Sequence, residues 1–71
     1  MSSVEMDIVR LLELRARLKE AYNYLDEAKA LIAAIMIIDD YEGLGEVEVR
    51  VEKALEQLRE ARRLLAGGER L

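Results

Sequence analysis

The stretch Ala30-Leu31-Ile32-Ala33-Ala34-Ile35-Met36-Ile37-Ile38 places nine apolar residues in a row, and the way it is covered decides the fold. A surface helix shows polar residues every three or four positions. This run shows none, so it calls for burial on every side, within a bundle of three or more helices or as a fully buried strand. It is too short to span a bilayer, which takes about 20 apolar residues.

Upstream of that run, no Gly or Pro interrupts residues 3–38. Ser2 and Glu5 have the spacing of a capping box, so a helix is expected to begin there. One heptad row holds Val4, Leu11, Leu18, Leu25 and Ile32, and a second holds Asp7, Leu14, Ala21, Ala28 and Ile35; only Asp7 breaks the pattern. The simplest reading is one helix of roughly 36 residues, about 54 Å long at 1.5 Å per residue.

Downstream, Asp39-Asp40-Tyr41-Glu42-Gly43-Leu44-Gly45 is the turn-like cluster. Acidic side chains are unfavourable at a helix C-terminus, so the helix is expected to stop near Ile38. Gly43 or Gly45 can adopt the left-handed conformation that a reversal needs. Residues 46–52, Glu-Val-Glu-Val-Arg-Val-Glu, then alternate as a half-buried strand would. The heptad nevertheless resumes through them, with Val47, Ala54 and Ala61 in one row and Val51, Leu58 and Leu65 in the other. A second helix over about 46–66, ended by Gly67-Gly68 with Glu69 to Leu71 beyond it, is therefore expected. The alternative is an α-β-β-α arrangement with a hairpin at about 33–51.

The fold expected is thus all-α, a long antiparallel helical hairpin in a single domain spanning residues 1–71. Hairpin packing is assigned to Ala21, Leu25, Ala28 and Ile32 against Val51, Ala54, Leu58, Ala61 and Leu65. A reversal near residue 42 would set Ala61 opposite about residue 21. The shorter second helix would then leave residues 3–17 overhanging, with Val4, Ile8, Leu11, Leu12 and Leu14 uncovered and Leu18 just beyond them. These, with Ile35 and Ile38 at the other end, form the expected oligomer interface, most simply of a homodimer that closes a four-helix bundle.

Composition narrows the function. The chain has no Cys and no His, which removes disulfides, thiolate metal sites, thiol nucleophiles and the commonest general base. No catalytic activity, cofactor or metal is expected. Fifteen acids against eleven bases give a net charge of −4, which repels nucleic acid overall and suits a cytoplasmic protein. The start, Met1 to Glu5, lacks the basic region of a signal peptide. Strong helix formers and one Asn and one Gln fit a thermostable protein or an idealised design.

The function expected is a structural or interaction module that self-associates through apolar helix faces, with another helical protein as a further possible partner. Two alternatives come from charge and from resemblance. The reversal gathers Arg15, Arg17, Lys19, Arg59, Arg62 and Arg63 at one end, a candidate anion or RNA site, while Asp39, Asp40, Glu42, Glu46 and Glu48 collect at the other. Opposing that reading, Glu13 with Arg17, Glu46 with Arg50 and Glu60 with Arg63 have the spacing of pairs along a helix. The run Ile8-Val9-Arg10-Leu11-Leu12-Glu13-Leu14-Arg15-Ala16-Arg17-Leu18 resembles the first helix of the all-helical chorismate mutases, where a Leu-rich helix carries an Arg that binds a substrate carboxylate. The resemblance implies Arg15 in that role. It covers those eleven residues, and the family's next basic position falls on Asp26.

Overall fold

The computed structural model describes the backbone of residues 3–69 and the side chains of residues 8–66. Ser2 of the expected capping box, Arg70 and Leu71 lie outside the described residues, as do the side chains of Val4, Glu5 and Asp7.

Two helices pack against each other, α1 over Ser3–Ile38 and α2 over Leu44–Glu69, joined by a 3-10 turn at Tyr41–Gly43. The described residues contain no strand. The period-two valines are accounted for by a helix: Val47 is buried against α1, Val51 sits at its edge and Val49 points outward. α1 has the length that its unbroken run of helix formers implies. α2 begins earlier than expected and continues through Gly67-Gly68, since Gly weakens a helix by about 1 kcal/mol relative to Ala without forbidding it.

The reversal uses a different residue from the one expected. Asp39 takes the left-handed conformation, with φ at 54°, and no described glycine has positive φ. Asp tolerates that region because its short side chain bonds locally, and here Asp39 Oδ1 accepts from the Tyr41 hydroxyl at 2.9 Å. Asp40 caps the 3-10 turn, its carboxylate accepting from the Glu42 backbone N–H at 3.3 Å. Gly43 serves close approach: a Cβ there would stand 3.3 Å from Ile35 Cδ1.

The seam between the helices is built from small residues. Ala21, Ala28 and Ile35 of α1 and Val47, Ala54 and Ala61 of α2 are the buried residues, Ala54 being 1% exposed. Alanines seven apart let two backbones approach closely, and longer side chains then close the groove from either side. Arg17 and Tyr24 alternate with the alanines on α1, and Arg50, Gln57 and Leu64 on α2; all are half-buried. The Arg17 Nη1 group donates to Gln57 Oε1 at 3.2 Å, and Arg50 Nε lies 3.4 Å from Glu27 Oε1. These contacts set the antiparallel register. Ala54, not Ala61, falls opposite Ala21, and Val47 joins Ala28 and Ile35 in one cluster.

The register also removes the expected overhang. Leu64 lines one cleft with Val9, Arg10 and Glu13, so α2 accompanies α1 to within two turns of its start. The product is a rod of 56 × 16 × 11 Å. Its radius of gyration is 16.5 Å, against about 11 Å for a compact chain of this length.

A candidate self-association face

Each seam residue on a helix has neighbours on two shoulders, and the two shoulders of this hairpin differ in character. In an antiparallel pair the residue following Arg17 on α1 and the residue following Gln57 on α2 fall on the same side. These are Leu18 and Leu58. Seven residues in either direction along both helices, the same side carries Leu25 with Val51 and Leu11 with Leu65, and a further step gives Ile32 with Leu44. Four apolar rungs therefore climb one shoulder at intervals of about 10.5 Å.

The other shoulder is polar. Glu13, Glu20 and Glu27 of α1 run beside Glu46, Lys53 and Glu60 of α2. Its contacts include the Arg50–Glu27 pair and the Lys53 ammonium 5.9 Å from the centroid of the Tyr24 ring, at the outer limit for a cation–π contact. Intrahelical pairs add to it: Arg17–Glu13 at 2.8 Å, Arg50–Glu46 at 2.6 Å and Arg63–Glu60 at 2.9 Å.

The rungs are exposed. Leu18 is 50% accessible and Leu65 51%, and Leu11, Leu25, Ile32, Leu44 and Val51 are exposed with them, while Leu58 is half-buried. Leu25, Ile32, Val51, Leu58 and Leu65 thus lie beside the seam to which the sequence assigned them. The reason is steric, because the alanine rows bring the backbones together and leave the longer side chains outside. Ile35, assigned to an oligomer interface, is 7% exposed within the hairpin. Of the other residues assigned there, Ile8, Leu11, Leu12, Leu18 and Ile38 are exposed and Leu14 is half-buried.

Tyr22, Met36 and Leu55 border the rungs and are exposed, Tyr22 at 70%. Leu55 and Leu44 have no assignment in the sequence reading, and Met36 belongs to the apolar run expected to be buried on every side. Leu44 was within reach, since it continues the Val51–Leu58–Leu65 row one heptad back. Of the nine-residue apolar run, Ile35 alone is buried in the single chain, with Leu31 half-buried.

At the basic end, Arg17 is engaged by Glu13 and Gln57, and Arg63 by Glu60. Arg15 lies in a groove with Leu12, Ala16, Leu18 and Lys19, all residues of α1. One helix gives a carboxylate ligand no opposite wall. Among the described residues no group of three or more acidic side chains is placed to hold a metal ion, and none of the helices is long and apolar enough to cross a membrane.

No family model matches the chain, and comparison with curated proteins and with solved structures found no match.

Proposed function

We propose that this chain is a helical-hairpin interaction module that associates with a second copy of itself through the four-rung apolar shoulder, closing a four-helix bundle, and that it carries no catalytic activity. The observation that carries this reading is area. A compact monomer of this mass exposes about 4,500 Å², whereas this chain, at 5801 Å², exposes about 1,300 Å² more. A specific interface takes about 800 Å² from each partner, so one self-complementary contact would remove most of the excess. The four rungs form a continuous apolar strip along one shoulder, as an interface requires, while Val9, Ile37 and Val49 are exposed away from it.

Sedimentation equilibrium tests the reading. The parent is expected at about twice its 8.1 kDa chain mass at micromolar concentration, and Leu18→Glu with Leu25→Glu at the monomer mass. A parent that sediments as a folded monomer would overturn it.

A further inference from the structure

We infer that the two copies pack antiparallel, about a two-fold axis that crosses the rod near Tyr22 and Leu55. This rests on the self-association proposed above and specifies its geometry.

The first ground is the spacing of the rungs. On α1 they stand at Leu11, Leu18, Leu25 and Ile32, symmetric about a point beside Tyr22, and on α2 at Leu44, Val51, Leu58 and Leu65, symmetric about a point beside Leu55. The hairpin register sets those two midpoints side by side, because Ala21 faces Ala54. A second copy turned end for end therefore meets every rung with a rung: the Leu11 rung lies on the Ile32 rung of the second copy, and the Leu18 rung on its Leu25 rung. Isologous contact of this kind needs one patch that matches itself under the two-fold.

A side-by-side copy with both loops at one end would match the rungs equally well, so charge must choose between the two. The charged residues bordering the rungs do not choose. End for end, Arg62 faces Glu48 of the second copy and Arg15 faces its Lys29; side by side, Lys29 faces Glu48 and Arg15 faces Arg62. The remaining charges do choose. Side-by-side packing stacks Asp39, Asp40 and Glu42 of both copies at one end and doubles the Arg15–Lys19 belt at the other. End-for-end packing carries that belt to the level of Asp26, Glu27, Lys29, Glu48, Arg50 and Glu52 of the second copy, where acids outnumber bases, and sets the acidic loops at opposite ends of the rod, well beyond the roughly 8 Å screening length at physiological salt.

Spin labels test the arrangement, since the chain has no cysteine and each single-cysteine variant carries one label per copy. Tyr22 and Met36 are exposed, and Tyr22→Cys and Met36→Cys leave the seam intact. The expected result is a short distance, under about 20 Å, between labels at residue 22, as neighbouring helix axes lie 8–10 Å apart. Labels at residue 36 are expected about 44 Å apart, twice their axial offset from the two-fold at 1.5 Å per residue. Short distances at both positions would overturn the end-for-end arrangement while leaving self-association standing. A parent chain, unlabelled, that sediments as a folded monomer at micromolar concentration would overturn both.

Discussion

Ile35 closes over Gly43, its Cδ1 standing 3.3 Å from where a Cβ would be. Two residues on, Gly45 sits in the first turn of α2 with nothing within 4 Å of the same position. The two glycines therefore separate space from backbone freedom. Gly45→Ala is expected to stabilise the chain by about 0.5–1 kcal/mol, the usual gain on replacing a helical glycine, and to raise Tm by a few degrees. Gly43→Ala must displace the end of the Ile35 side chain and should gain less than Gly45→Ala or lose stability. Thermal melts of both variants under matched conditions decide it, and equal gains would contradict the close approach.

Ala54 is expected to tolerate nothing larger. With 1% of its surface exposed, Ala54→Leu should cost about 1–3 kcal/mol by forcing the backbones apart. Ala33→Leu, on the exposed side of α1, should leave the melting temperature nearly unchanged. Chemical denaturation measures both, and a stable Ala54→Leu variant would contradict the alanine seam.

Asp39→Ala puts a side chain without hydrogen-bonding atoms into the left-handed conformation and removes the acceptor of the Tyr41 hydroxyl. A loss of about 1–2 kcal/mol is expected. Asp39→Gly, which relieves the backbone while losing the same acceptor, should stay close to the parent. If urea denaturation finds the two variants equally destabilised, the hydroxyl contact rather than the backbone dominates the turn.

Arg50 joins Glu46 at 2.6 Å and Glu27 at 3.4 Å, yet it is partly open to water. Arg50→Ala should cost no more than about 1 kcal/mol, and the difference from the parent should shrink in 1 M salt, where the screening length falls to about 3 Å. Melts at low and high salt read it directly.

Self-association predicts a melting temperature that rises with protein concentration, because the partner binds the folded chain. A melting temperature constant over a hundredfold concentration range would speak against it.

Much of this structure is legible from local sequence. The bounds of α1 follow from its lack of Gly and Pro and from the acids after Ile38, and the pairs Glu13–Arg17, Glu46–Arg50 and Glu60–Arg63 follow from spacing along one helix. What is not legible is which rows of the heptad meet. Leu18, Ala21 and Tyr24 each head a row, and adjacent rows can form a seam in either combination. The choice of Ala21 with Tyr24 over Leu18 with Ala21 depends on how closely two backbones approach, a quantity that neither helix contains alone. The left-handed residue was open for a related reason: aspartate and glycine both reach positive φ, and the last residue of α1 determines which one stands there. The rungs carried the signal of a core, and in the hairpin alone they are a surface.

The rungs also set the path of the helices through space. A straight α-helix rotates about 20° per seven residues relative to a strict heptad, so over the three steps from Leu11 to Ile32 the row would wander about 60° around α1. The seam shows that it does not wander, since Ala21, Ala28 and Ile35 stay buried at intervals of seven. Two helices that keep this seam along their whole length are expected to wind about each other with a left-handed pitch. Any partner that is to meet all four rungs has to share that pitch, a condition that a second copy of the same chain satisfies by construction and a straight helix loses within a few turns.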